Sequence, residues 1–84
     1  MNSKVKKRGP KLELAKLRQT AGKTQTDVAR FMKISQAAVA RFEKRSDWRI
    51  STLAQYIASL GYRLHLIAEM PNGKRIELSS FTML

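Results

Sequence analysis

The sequence contains no cysteine, so neither a disulfide nor a thiolate-bound metal can stabilise the fold. Only six acidic residues oppose 17 lysines and arginines, and the one histidine has no companions for a metal site. No apolar run approaches the ~18 residues of a membrane-spanning helix, and no apolar stretch of a secretory signal follows the basic N-terminus. We therefore expect a cytoplasmic protein without a membrane segment, a metal or another cofactor.

The scarcity of acids also argues against catalysis. Their expected roles are structural: a helix cap for Asp27, strand pairing for Glu69 and Glu77, and helix-surface charge for Glu13 and Glu43. Only Asp47 has no expected role, and no glycine-rich loop is present to hold a phosphate. The sequence therefore predicts a protein that is not an enzyme.

What the chain does have is positive charge in a small volume. With 84 residues it can form one small domain, for which self-association is the remaining way to complete a core. Its formal net charge of +11 predicts a polyanionic partner, usually a nucleic acid or an anionic membrane surface.

The first ten residues are expected to form a flexible basic arm. They are poor in large apolar side chains, they end in Gly9-Pro10, and their cations are Lys4, Lys6, Lys7 and Arg8. Such an arm can follow DNA phosphates or the minor groove, or it can serve only as a solubilising tail, and both interpretations stay open here.

Apolar spacing in residues 11–61 predicts four helices. The first has Pro10 in its opening turn and ends at Gly22. Thr24 and Asp27 form a capping-box pattern that begins a short second helix. Ser35 is expected to cap a third helix from Gln36 to about Lys44, and Ser51 a fourth that ends at Gly61.

From Tyr62 the apolar period changes to two, which predicts a β-hairpin within residues 62–84. Pro71-Asn72-Gly73 fits a bulged three-residue turn, which pairs Glu69 with Arg75. Because a lone hairpin is marginally stable in water, we expect its apolar face to form a homodimer interface. The residues assigned to that interface are Leu64, Leu66, Ile76 and Leu78.

The third helix carries the strongest functional signal. Its predicted outer stripe is small or hydrogen-bonding, as insertion into a DNA major groove requires: Gln36, Ala37, Ala40, Arg41 and Lys44. Glutamine can bind adenine, arginine can bind guanine or phosphate, and Gln25 at the start of the second helix can bind phosphate. Without a helix-turn-helix, the same side chains would be read as an ordinary solvated surface.

Residues 12–61 resemble the phage-repressor and Cro-type helix-turn-helix proteins, the XRE family. The resemblance rests on Leu17-Arg18, Ala21-Gly22, Thr24-Gln25, Val28-Ala29, Ile34-Ser35-Gln36, Val39 and Arg41-Phe42-Glu43. It implies a mainly α fold, a four-helix repressor-type domain followed by a C-terminal β-hairpin. It also implies that Gln25 contacts phosphate and that Ser35, Gln36, Ala37 and Arg41 face an operator. One position departs from the family, because Lys33 occupies a turn position that is usually glycine.

Within this family the chain is most similar to HigA-like and HipB-like antitoxins, on Arg45-Ser46-Asp47, on residues 49–53 and 56–61, and on the hairpin. This implies a dimeric repressor of its own operon that binds a small ribonuclease or kinase toxin. A two-fold dimer would place two recognition helices ~34 Å apart, so we expect an inverted-repeat operator. The positive charge disfavours a basic ribonuclease toxin unless the neutralising surface is apolar. A regulator without a toxin, and a basic module that binds RNA or protein, remain alternatives.

Two aromatic side chains outside the helix-turn-helix also have competing interpretations. Trp48 can cover the core or bind a partner, and the core is the more common role of an aromatic residue beside two helices. His65 fits a sheet surface or an interface better than a catalytic site, because it lacks partner residues.

Overall fold

The computed structural model describes residues 13–78 of the chain. Four helices precede a two-stranded antiparallel sheet, in the order α1 (Leu14–Thr20), α2 (Gln25–Met32), α3 (Gln36–Lys44), α4 (Ile50–Ser59), β1 (Leu66–Glu69) and β2 (Arg75–Leu78). The predicted class, mainly α with a C-terminal hairpin, is confirmed. The proposed basic arm lies outside the described residues, as do the last six residues of the chain.

The two helices of the helix-turn-helix begin at side-chain caps. Thr24 accepts a hydrogen bond from the backbone N–H of Asp27, whose carboxylate accepts one from the backbone N–H of Thr24, so both halves of the capping box are present. Ser35 accepts from the backbone N–H of Ala38 and caps α3. Lys33 takes the left-handed conformation between them (φ 60°), as its position in the turn requires.

The other two helices have no side-chain cap, and here the prediction for α4 is wrong. Ser51 lies inside α4, whose first turn closes with a hydrogen bond from the backbone N–H of Leu53 to the carbonyl of Arg49. Just before the helix, the indole N–H of Trp48 donates to the carbonyl of Phe42, a contact that no local capping pattern contains. The position predicted for Pro10 lies outside the described residues, and α1 itself begins at Leu14.

The helices enclose one apolar core, and we call residues 14–60 the helical unit. The largest fully buried side chains come from all four helices: Leu14, Val28, Val39 and Tyr56. Leu17, Met32, Phe42, Trp48 and Leu64 pack around them and are partly buried. Trp48 therefore covers the core, with its ring 5.9 Å from that of Phe42 between centroids.

The hairpin has the predicted register but a shorter first strand. Leu66 pairs with Leu78, Ala68 with Ile76 and Glu69 with Arg75. The turn closes with a hydrogen bond from the N–H of Gly73 to the carbonyl of Met70, and Gly73 has a φ of 90°. Residues 62–65 are not part of the sheet, and Leu64 packs against the helical core instead.

Candidate nucleic-acid interface

The outer face of α3 presents the side chains that the sequence predicted. Gln36, Ala37, Arg41 and Lys44 are exposed, and Ala40 between them is partly buried. Because two of these residues are alanines, another surface can approach the helix backbone closely there. Gln36 at the start of this face is polar, and Arg41 and Lys44 towards its end are cationic. These side chains offer hydrogen-bonding groups to a partner.

Basic side chains are numerous on α3 and in the turns beside it. Within residues 13–78 the exposed basic side chains on α3 and the flanking turns are Lys33, Arg41, Lys44, Arg45 and Arg49, with Asp47 as the acid among them. This excess of positive charge would attract phosphates and position the helix on a nucleic acid.

Gln25 is predicted to contact phosphate. In the structure, both ends of its side-chain amide form hydrogen bonds within the protein. Its Nε2 donates to Glu43 Oε1 at 3.0 Å, and its Oε1 accepts from Gln36 Nε2 at 3.2 Å. The first side chain of α2 therefore holds the first side chain of α3. This link between two predicted site residues was not anticipated from the sequence.

Glu43 is the anchor of that link, and the expectation that it is a helix-surface charge is wrong. Its side chain is only 5% exposed. Arg18 Nε donates to Glu43 Oε2 at 2.6 Å and the hydroxyl of Tyr56 to the same oxygen at 2.5 Å. A buried carboxylate of this kind needs such donors, because it would otherwise lose its hydration without compensation.

The pKa shifts in this cluster agree with a charged ion pair. Burial alone would raise the pKa of Glu43, but the hydrogen bonds from Arg18, Tyr56 and Gln25 together hold it below its ordinary value of 4.5. The pKa of Arg18 is raised, chiefly by its hydrogen bond to Glu43. Burial, followed by the neighbouring carboxylate, raises the pKa of Tyr56, so its hydroxyl stays a donor.

One signal for this cluster was present in the sequence. Arg18 lies four residues after Leu14, and Glu43 lies four residues after Val39, so each charge falls on a helix stripe that starts from a core residue. Opposite charges on two buried stripes predict an internal ion pair.

The remaining predicted site residues are not on the outer face of α3 or lie outside the described residues. Ser35 caps that helix. On the hairpin Leu66 is partly buried, whereas Ile76 and Leu78 are 51% and 50% exposed. Lys4, Lys6, Lys7 and Arg8 lie outside the described residues. His65 directly precedes β1, and its Nδ1 lies 2.5 Å from Oε2 of Glu77 on β2.

The segment that contains these helices also has known relatives. The helix-turn-helix family matches residues 14–67. The chain belongs to that family. This confirms the resemblance seen in the sequence, and the fold that the resemblance implied.

Individual relatives fall within one group of regulators. The chain is 38% identical over 64 residues to Antitoxin HigA1 of Mycobacterium tuberculosis, in strains CDC 1551 / Oshkosh and ATCC 25618 / H37Rv, and the match covers 75% of this chain. It spans only 43% of the length of those relatives.

Two solved structures share the architecture. One is described as DNA bound antitoxin HigA3, with a TM-score of 0.76, 34% identity, and coverage of 83% of this chain and 92% of that chain. The other is described as induced DNA bending by unique dimerization of HigA antitoxin, with a TM-score of 0.72, 37% identity, and coverage of 81% and 90%. No helix among residues 13–78 is long and apolar enough to cross a membrane.

Proposed function

We propose that this chain is a sequence-specific DNA-binding repressor that acts as a homodimer, and that it is the antitoxin of a toxin–antitoxin pair. The observation that carries the DNA-binding part is the outer face of α3, which is small, polar and exposed on a rigidly capped helix-turn-helix. A helix with such a face fits the roughly 12 Å width of a major groove. We assign the chain no catalytic role.

Each part of the face has a task in this proposal. Gln36 and Arg41 read base edges, while Ala37 and Ala40 permit close approach and offer methyl groups to thymine. The residues that position the helix on the phosphates are Ser35, Lys44 and Gln25, with the arm cations Lys4, Lys6, Lys7 and Arg8 adding affinity without sequence preference.

The dimer would form through the hairpin. Ile76 and Leu78 present about half of their surface to solvent, and neither strand has a second neighbour in the described sheet. Pairing with a second copy would cover the apolar face and satisfy an open strand edge. A two-fold dimer places two α3 helices ~34 Å apart, so the operator would be an inverted repeat.

The antitoxin role is supported by relatives at 34–38% identity that are named antitoxins, two of them described with DNA or with dimerization. A repressor without a toxin is the second candidate. It is favoured by the net charge of +11, because a cationic protein would repel a basic toxin.

Arg41 provides the direct test of base reading. We expect Arg41→Ala to weaken binding to a selected operator by about 1–3 kcal/mol and to relax preference at one or two base pairs, if the side chain is bidentate to guanine. Arg30→Ala is the matched control, because Arg30 is equally a cation of the helix-turn-helix but pairs with Asp27 on α2 itself. Equal losses on operator and random duplex in a gel-shift titration would exclude base reading by Arg41.

The antitoxin role is tested by co-expression. The protein encoded beside this gene should arrest growth alone, and this chain should relieve the arrest and elute with that protein. Binding of the two should also change operator affinity, because such coupling is reciprocal. Growth arrest that persists in the presence of this chain would favour the repressor without a toxin.

A further inference from the structure

A chain of hydrogen bonds runs from the buried ion pair to the proposed DNA-reading side chain. Glu43 Oε1 accepts from Gln25 Nε2 at 3.0 Å, and Gln25 Oε1 accepts from Gln36 Nε2 at 3.2 Å. Exposure increases along the chain: the Glu43 side chain is almost fully buried, Gln25 is partly buried and Gln36 is exposed. The chain therefore connects the protein interior to the outer face of α3.

The chemistry of its buried end determines the direction of every bond. An ionised carboxylate can only accept hydrogen bonds, whereas an amide has a donating and an accepting end. Gln25 must therefore turn its NH₂ group towards Glu43, which leaves its oxygen facing Gln36. Gln36 must in turn direct its own NH₂ group to that oxygen.

Glu43 is held in the ionised state and in one position. Its Oε2 accepts from Arg18 Nε at 2.6 Å and from the Tyr56 hydroxyl at 2.5 Å, and its Oε1 accepts from Arg18 Nη2 at 3.4 Å as well as from Gln25. Arg18 is itself fixed by a further bond, from its Nη1 to the carbonyl of Lys23 at 2.9 Å. The amide of Gln25 therefore meets a carboxylate that is already oriented.

We propose that Glu43 is a positioning residue for base recognition, because it sets the orientation of the Gln36 amide through Gln25. This inference rests on the proposed function, in which Gln36 reads a base. With its NH₂ group anchored, Gln36 presents its Oε1 and its second N–H side by side, as the N6 amino group and N7 of adenine require. A reversed amide would exchange donor and acceptor and lose that match.

The first test uses no DNA. In Glu43→Gln the amide oxygen at position 43 accepts from Arg18 and Tyr56, so an NH₂ group takes the place of Oε1 and cannot accept from Gln25. The amides of Gln25 and Gln36 are then no longer held in their wild-type direction. We expect the side-chain NH₂ resonances of Gln25 and Gln36 in ¹⁵N-labelled protein to shift and to exchange faster with solvent. Gln55 on the exposed side of α4 is the internal reference, and Glu69→Gln in the hairpin is the matched control.

A second variant avoids the ion pair, in case Glu43→Gln does not fold. Gln25→Met interrupts the chain but leaves Arg18, Glu43 and Tyr56 in contact, and it should release the Gln36 amide in the same way. A folded Glu43→Gln protein, or a Gln25→Met protein, whose Gln36 resonances match the wild type would overturn the proposal.

The second test measures base preference with duplexes selected from a randomised pool. If Gln36 prefers adenine by ~10-fold in the wild type, Glu43→Gln and Gln25→Met should each reduce that preference to about threefold or less. Preference at the other positions of the site should persist. A wild-type protein that selects no sequence would refute the proposed function, whereas selection that Glu43→Gln and Gln25→Met leave unchanged would refute only the role of Glu43.

Discussion

The helical unit and the hairpin differ in where their apolar side chains lie. Leu14, Val28 and Val39 of the helical unit are at most 1% exposed, whereas Ile76 and Leu78 of the hairpin are about half exposed. The helical unit therefore encloses a core, to which Leu64 adds from outside it, although Phe31 on its surface is 54% exposed. The apolar face of the hairpin has no comparable cover within residues 13–78. The part that would read DNA packs around a buried core, and the part that would join two copies has an apolar face that a second copy would cover.

The two regions also use ion pairs differently. The helical unit places Arg18 and Glu43 inside, 2.6 Å apart, with further hydrogen bonds to both. The hairpin places Glu69 and Arg75 on its surface, 3.9 Å apart, where both side chains are more than 60% exposed. Removing one partner of the internal pair leaves the other charge buried without compensation. Removing one partner of the surface pair leaves a charge that water still solvates.

Removal of one carboxylate from each region should give the largest contrast. Glu43→Ala leaves the Arg18 guanidinium largely buried without its counter-ion, and we expect the free energy of unfolding to fall by about 3–5 kcal/mol. Glu69→Ala should lower it by less than about 0.5 kcal/mol. Urea denaturation of both variants measures the difference. Similar losses in the two variants would show that the internal pair is not specially costly to break.

Lowering the pH should reduce the free energy of unfolding through the same internal pair, but by less than Glu43→Ala does. Protonation removes the charge of Glu43 but keeps its side chain. The folded-state pKa of Glu43 is below its ordinary value of 4.5. The stabilisation is therefore complete above that value and is lost as the pH falls through the lower folded-state pKa.

Asp27 contributes in the same direction, because the backbone N–H and hydroxyl of Thr24 lower its pKa as well. Thermal unfolding of wild type and Glu43→Gln over this pH range separates the two groups. Parallel pH curves for the two proteins would exclude a contribution from Glu43.

The turn at Lys33 allows a smaller test within the helical unit. Lys33 has a φ of 60°, so Lys33→Gly relieves a left-handed strain of ~1–2 kcal/mol. It also adds unfolded-state freedom that costs ~0.5–1 kcal/mol. We expect a net gain in unfolding free energy of about 0.5–1 kcal/mol.

Gly22→Ala is the matched control for this test. Gly22 has a φ of 76°, and an added Cβ there meets no atom within 4 Å, so strain alone should lower the stability. A loss of stability in Lys33→Gly would mean that the lysine side chain makes a contact stronger than the strain.

Local chemistry explains which features the sequence could predict. The capping box at Thr24, the Ser35 cap and the bulged turn at Gly73 each depend on residues within three or four positions, and all three are present. The start of α4 could not be predicted in this way. There α4 begins at Ile50, two residues after Trp48, whose indole N–H donates to the carbonyl of Phe42 six positions away.

The surface of the site could be predicted residue by residue, whereas beneath it the sequence indicates only that two opposite charges lie on buried stripes. Exposed positions on α3 follow from helical periodicity, and the exposure of Gln36, Ala37, Arg41 and Lys44 agrees with it. The support beneath them depends on partners 25, 18 and 13 positions from Glu43, namely Arg18, Gln25 and Tyr56. Contacts at such separations depend on how the helices pack, which no short sequence window contains.

The smallest effect on the stability of the helical unit should come from the hairpin surface. Ile76 and Leu78 share one face, because they pair with Ala68 and Leu66, whereas Ile67 pairs with Glu77 on the other face. Joint Ile76→Thr and Leu78→Thr substitutions keep strand-forming side chains and should change the unfolding free energy of the helical unit by less than about 0.5 kcal/mol.

The same substitutions should abolish self-association in sedimentation experiments, since they remove the apolar contact. Ile67→Thr, which removes an equally exposed side chain from the opposite face, should leave the dimer intact. If the double variant still sediments as a dimer, the two copies associate through another surface, and the hairpin needs a different partner to cover its apolar face.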